Sequence, residues 1–117
     1  MIKYKLLAEA SVLFVIGHLI LWYQANSQFF SSWAKNHKLL LAILLGPPVS
    51  YLFMTGVGMV ASAMSGDIWA TRILPSMVGT IVFMIMTYLV FSQGINLKNG
   101  ICLLLSLAVI FIQVFWR

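Results

Sequence analysis

The sequence predicts an all-α integral membrane protein, built as a four-transmembrane-helix bundle. Of its 117 residues, 62% are hydrophobic and only 8% are charged, which leaves too few polar residues to cover a soluble domain of this size. The apolar residues fall into four long segments that are separated by short polar connectors. We therefore expect a single transmembrane domain over residues 1–117, surrounded by a lipid bilayer.

Each apolar segment is long enough to cross a hydrocarbon core, which takes about 20 residues of helix. The predicted helices cover approximately residues 4–23, 39–64, 68–91 and 99–116. The connectors between them are polar and rich in turn-forming residues. No segment remains from which a second domain could be built.

The positive charges are divided almost equally between the two membrane faces that an even number of helices creates. One face is expected to hold Lys3, Lys5, Arg72 and Arg117, and the other Lys35, Lys38 and Lys98. Because lysine and arginine near helix ends set orientation, this balance predicts only a weak preference. Either the first helix fixes one orientation, or the chain inserts both ways. We expect a multi-pass protein of a cell inner or plasma membrane.

Glu9 is the only acidic residue inside a predicted helix. A carboxylate in a bilayer costs roughly 2.5 to 3.5 kcal/mol on insertion scales, so such a residue indicates a functional site by default. Glu9 is either an interfacial acid paired with Lys5, one turn earlier, or a bundle-facing carboxylate that holds a proton or a cation. His18 lies on the opposite side of this helix. We expect it to be either a neutral imidazole that is hydrogen-bonded between helices or a proton carrier.

Small and hydroxyl-bearing residues form a stripe along each of the other three helices. The stripe of the second helix contains Tyr51, Thr55, Gly58 and Ser62, and that of the third contains Arg72, Ser76, Gly79, Thr80 and Thr87. The fourth helix aligns Cys102, Ser106 and Gln113. Membrane helices pack closely through such residues, so helix packing alone accounts for most of the stripes. Arg72 and Gln113 are the members that packing explains least.

Several kinds of site have no counterpart in the sequence. Two histidines and one cysteine, separated along the chain, do not form a metal-ligand cluster. Neither a catalytic Ser/His/Asp set, nor a phosphate-binding glycine loop, nor a basic soluble domain for nucleic acid is recognisable. We therefore expect a protein that is not an enzyme and that has no cofactor, no metal and no nucleic-acid partner.

The last part of the chain resembles the closing hairpin of the drug/metabolite transporter superfamily. The resemblance lies in the helix end at 87–91, the polar turn at 92–100 and the apolar run that starts at 101–104. The small multidrug resistance branch is most similar in size, and Glu9 within residues 7–11 is similar to its essential glutamate. Gln93 falls where that family has a polar or acidic residue. The resemblance implies proton-coupled export by an antiparallel homodimer.

Taken together, these features predict a small membrane transporter that exports a small cationic or amphipathic solute. Substrate and proton would compete for the carboxylate, and the two halves of a dimer would rock to change access. The predicted proton and substrate site contains Glu9, His18, Trp22, Tyr51, Arg72, Ser76 and Thr80. One alternative keeps the fold and has an anionic or lipid-linked cargo, which Arg72 would recognise. The other is a non-transporting protein, either an accessory subunit of a membrane complex or a pore-forming lysis factor.

Overall fold

A computed structural model describes residues 3–116, and four of its helices are long and apolar enough to cross a membrane. The helices in chain order are α1 (Tyr4–Asn26), α2 (Ser32–Asn36), α3 (Lys38–Ala63), α4 (Ile68–Phe91) and α5 (Leu97–Phe115). The four spans are α1, α3, α4 and α5. The predicted all-α four-helix membrane architecture is confirmed.

The helix ends differ from the predicted bounds where capping and local turns act. α1 continues to Asn26, and the connector that follows contains a 3₁₀ turn over Ser27–Phe29 and the short helix α2. The side chain of Ser31 caps α2 by accepting a hydrogen bond from the Ala34 N–H at 3.3 Å. α5 begins earlier than predicted because Asn96 Oδ1 accepts from the Asn99 N–H at 2.8 Å. The predicted surface charge of Arg117 lies outside the described residues.

α1 is the central helix, since it packs against both α3 and α4, whereas α5 packs mainly against α4. Two rings seated on glycines join α1 to α3. The ring of Phe14 lies over Gly56, where an added Cβ would be 2.6 Å from it, and Phe53 lies over Gly17, where the distance would be 3.3 Å. Close approach through small residues is a main source of association between membrane helices, because lipid is as apolar as their side chains.

The buried core lies at the end of the bundle that contains Asp67, here called the Asp67 end. Its residues are Leu7, Ala10, Phe14, Val60, Ala63, Met64, Ala70, Leu74 and Val114. Asp67 caps α4 by accepting from the Trp69 N–H at 3.0 Å, and its second oxygen accepts from Gln113 Nε2 at 3.3 Å. The Lys3 N–H donates to the Ala63 carbonyl at 3.0 Å. Gln113, which packing did not explain, therefore ties α5 to the start of α4.

The opposite end, here called the Gln93 end, is held together mainly by aromatic rings. The ring centroid of Phe91 lies 5.7 Å from that of Trp22 and 6.0 Å from that of Phe30. Phe29 reaches the same ring edge-on at 6.4 Å. Ring contacts of this kind lie within the distance range of favourable aromatic pairs. The last turn of α1 is thereby joined to the last turn of α4.

We expect Gly56→Ala to weaken the α1–α3 contact, because the new methyl group would displace the buried ring of Phe14. Overpacking of this kind lowers the free energy of unfolding by about 1 to 3 kcal/mol. Gly46→Ala is the matched control, since it lies on the same helix and has no atom within 4 Å of the added Cβ. The free energy of unfolding of each variant is measured by titration with sodium dodecyl sulfate in mixed micelles. Equal stability of the two variants would contradict the ring-on-glycine packing.

Candidate functional site

His18 stands where α1, α3 and α4 meet. Its Nδ1–H donates to the Phe14 carbonyl at 2.9 Å, and the ring meets Phe53 edge-on with centroids 4.8 Å apart. On the α4 side the imidazole lies directly against Gly79, leaving no room for a Cβ there. Because Nδ1 carries the hydrogen in this bond, Nε2 is the atom directed to α4. The local contacts therefore fix both the position and the orientation of the ring.

A polar cavity of about 270 Å³ lies on one side of His18, between α1, α3 and α4. We call it the Arg72 cavity, and its lining residues are His18, Phe53, Val57, Thr71, Arg72, Pro75 and Ser76. No acidic side chain is among them. The cavity therefore combines one permanent positive charge with an imidazole and two hydroxyl groups.

Pro75 shapes the wall of the Arg72 cavity. Proline has no N–H, so the Thr71 carbonyl lacks its usual donor one helical turn later. In the next position, the Ser76 hydroxyl donates to the Arg72 carbonyl at 2.8 Å. A free carbonyl inside a membrane bundle is tolerated where a cavity or a neighbour satisfies it. The proline therefore removes one backbone hydrogen bond of α4 next to the Arg72 cavity.

A second cavity of about 270 Å³ lies on the other side of His18. We call it the Trp22 cavity; its lining residues are His18, Leu21, Trp22, Ala25, Asn26, Gly79 and Phe83. His18 is the residue that the two cavities share. The imidazole and Gly79 thus form a partition between two spaces along α4.

Trp22 is buried, and its indole N–H donates to the Thr87 hydroxyl at 3.4 Å. This bond links α1 to α4 one helical turn beyond the partition. Thr80 lies on α4 between Gly79 and Thr87, and its hydroxyl donates to the Ser76 carbonyl at 3.1 Å. Thr80 also lines a further cavity near Gln93. The structure therefore brings five of the seven predicted site residues to the inner side of α1 or to the cavities along α4.

Glu9 and Tyr51 are not among these residues. Both are exposed on the outside of the single chain, and neither lines any of the cavities described here. Tyr51 is 72% exposed. Within residues 3–116, Glu9 makes no ion pair with Lys5. Their predicted contribution to a site would therefore need a further chain to cover this surface.

The sequence did not single out Thr71, Phe53 or Phe83 as cavity residues. Phe53 and Phe83 look like ordinary apolar positions of a membrane helix, and nothing in the sequence indicates that their rings border cavities. The sequence does indicate a role for Gly79, because this glycine falls on the same stripe of α4 as Arg72 and Ser76. In the part of the chain that is described, no group of three or more histidine, cysteine or acidic residues could hold a metal ion.

Comparison of the chain with protein family models, with curated proteins and with solved structures gave no match. The resemblance to small multidrug resistance proteins therefore stays a prediction that rests on the residues quoted for it. The four apolar helices support the coarser description of a multi-pass integral membrane protein.

We expect Gly79→Ala to displace the His18 ring, because the new methyl group would occupy the space of the imidazole. His37 is the only other histidine, so a His37→Asn background leaves His18 as the single histidine whose modification by diethyl pyrocarbonate is followed by absorbance. Modification should become faster in Gly79→Ala and remain unchanged in Gly46→Ala, which has no atom within 4 Å of the added Cβ. An unchanged rate in Gly79→Ala would mean that this glycine does not confine the ring.

Proposed function

We propose that the chain is a small membrane transporter whose cargo binds in the Arg72 cavity. The observation that carries this proposal is an open cavity between three membrane helices, which is bordered by the exposed Arg72 and separated by His18 from a second cavity. Ionisable residues inside membrane spans are rare, and they commonly mark the paths of ions and substrates.

The geometry supports an anionic cargo better than the cationic cargo that the resemblance implies. Arg72 provides a guanidinium, which binds carboxylate or phosphate with charge-assisted hydrogen bonds. The other polar lining groups are His18, Thr71 and Ser76, and none of them carries a negative charge. The Glu9 carboxylate, which a cation would need, lies outside the cavity. A volume of about 270 Å³ suits a small organic acid or the charged group of a larger molecule.

Homodimer formation is a separate proposal, supported by the outer side of α1 and α3. We use the name outer surface for Glu9 of α1 together with Tyr51, Thr55, Gly58 and Ser62 of α3, all of which are exposed in the single chain. The depth of Glu9 follows from two contacts between α1 and α3, one between Lys3 and Ala63 and the other between Phe14 and Gly56. Glu9 lies between these contacts in the chain, so it is level with the last two turns of α3. By helical periodicity these residues point away from α4.

The hydroxyl groups of the outer surface differ from those inside the bundle. Ser11, Ser76, Thr80 and Ser106 each donate to the carbonyl four residues earlier. Among residues 3–116, no such bond is made by Thr55 or Ser62. Unsatisfied polar groups are costly in hydrocarbon, and small residues such as Gly58 permit close helix approach. A second copy of the chain would bury these groups and complete the surroundings of Glu9.

Replacement of Arg72 tests the transport proposal. In proteoliposomes, we expect the wild-type chain to take up benzoate or phosphate, and Arg72→Gln to reduce that uptake about tenfold or more, the value of a charge-assisted hydrogen bond. Lys35→Gln, which removes an exposed charge from α2, is the matched control. Uptake of tetraphenylphosphonium without uptake of anions would instead favour the cationic cargo. If no probe is transported, the accessory-subunit or lysis-factor function becomes the better account.

Disulfide crosslinking tests the homodimer. In a Cys102→Ser background, we expect Tyr51→Cys, near the middle of α3, to crosslink two copies on oxidation. Ser62→Cys lies near one end of α3, so it should crosslink in a parallel dimer and fail to do so in an antiparallel one. Leu104→Cys, on the exposed side of α5, is the control that reports random collision. Crosslinking that is no stronger at Tyr51 than at Leu104 would reject this surface.

A further inference from the structure

Two adjoining cavities lie side by side along α4 at the Gln93 end. Their volumes are about 410 and 200 Å³, and they share Phe83, Thr87 and Gln93. The larger reaches α1 at Asn26, and the smaller reaches the first turn of α5 at Asn99. We call this space the amide groove. It lies beyond the His18 partition, and the Arg72 cavity lies on the other side of that partition.

The lining of the amide groove is largely apolar, and it contains several polar residues but no charged one. Three residues with side-chain amides, Asn26, Gln93 and Asn99, line the space together with Thr80 and Thr87. Each amide offers both a hydrogen-bond donor and an acceptor. The phenyl rings of the lining residues Phe29, Phe83 and Phe91 provide flat apolar walls. Apolar walls with a few convergent polar groups are typical of small-molecule sites.

The polar groups at one end of the groove are fixed by the turn between α4 and α5. Ser92 ends α4 in the left-handed conformation, with φ of 56°, and this turn brings Gln93 alongside α4. Asn96 then caps α5 and fixes the first turn, which contains Asn99. The chain therefore places two amides on the same side of α4 through two successive local features.

Several of these groups have no partner in the part of the chain that is described. The side-chain amides of Gln93 and Asn99 make no hydrogen bond with residues 3–116. The Thr87 oxygen accepts from Trp22, which leaves the Thr87 O–H available as a donor. Asn26 uses its amide N–H₂ to donate to the Trp22 carbonyl at 3.0 Å, so its amide oxygen remains available as an acceptor. The groove thus presents unused donors and acceptors between aromatic walls.

We propose that the amide groove is a binding site for an uncharged ring compound that carries an amide or hydroxyl group. The ring lies between Phe83 and Phe91, and its polar group bonds to Gln93, Thr87 or Asn99. A charged ligand is disfavoured because none of the lining residues provides an opposite charge. This site is distinct from the Arg72 cavity and does not require the chain to transport anything.

Benzamide is a suitable probe, because it combines a phenyl ring with an uncharged amide. Two matched compounds separate the contributions: benzoate keeps the ring and adds a charge, and toluene keeps the ring without hydrogen-bonding groups. In nanodiscs that contain the full chain, ¹⁵N-labelled side-chain amides and the Trp22 indole N–H report on binding by their chemical shifts. We expect benzamide to shift the signals of Gln93, Asn99 and Trp22 saturably, at lower concentrations than benzoate or toluene.

Thr87→Val removes the hydroxyl while keeping the shape of the side chain, and it should weaken benzamide binding about two- to tenfold, as expected for one hydrogen bond. Thr55→Val is the control, because Thr55 lies on the outer surface. Gln93→Leu gives a second test at a residue that has no hydrogen bond to Trp22.

The proposal is overturned if all three compounds cause equal shifts, because equal shifts indicate partition into the bilayer. It is also overturned if neither Thr87→Val nor Gln93→Leu weakens benzamide binding more than Thr55→Val does. Benzamide binding in a chain that transports no anion would leave the groove intact and reject only the transport proposal.

Discussion

Three aromatic rings seated on three glycines set the spacing of the bundle. Phe14 lies over Gly56, Phe53 over Gly17 and His18 over Gly79. In a membrane, where helix faces gain little from leaving lipid, such close contacts determine how near two helices approach. The same contacts hold α1 between α3 and α4, and they place the imidazole of His18 between the Arg72 cavity and the Trp22 cavity. Both cavities therefore depend on the small size of residues that contribute no functional group themselves.

The charges are sorted by this arrangement. Arg72 and Glu9 are both exposed, but Arg72 borders a cavity between three helices, whereas Glu9 lines none of the cavities. Asp67 has a structural use, since one oxygen caps α4 and the other holds Gln113. The cavity on the Asp67 side of His18 is thus bordered by a positive charge, whereas no charged residue lines the amide groove.

Hydropathy predicted the four spans well, because a run of about 20 apolar residues has few alternatives to a transmembrane helix. It could not predict which side of each helix faces inward. In water the buried side is the apolar one, but in lipid both sides are apolar, and the pattern carries little of that information. The stripes of α3 and α4 looked alike in the sequence, yet Ser76 and Thr80 line cavities while Thr55 and Ser62 face outward. For the same reason, the sequence left open whether Glu9 faces the bundle or its surroundings.

Each membrane-spanning helix after α1 packs against a helix that precedes it in the chain. The contact of Phe14 with Gly56 needs only α1 and α3, the contact of His18 with Gly79 adds α4, and α5 then packs mainly on α4. Each newly inserted helix therefore meets a partner that is already in the bilayer. Of the three ring-on-glycine contacts, that of His18 is completed last, because Gly79 is made 61 residues later. During that interval its bond to the Phe14 carbonyl satisfies one ring nitrogen within α1 itself, which lowers the cost of holding an imidazole in lipid before the bundle closes.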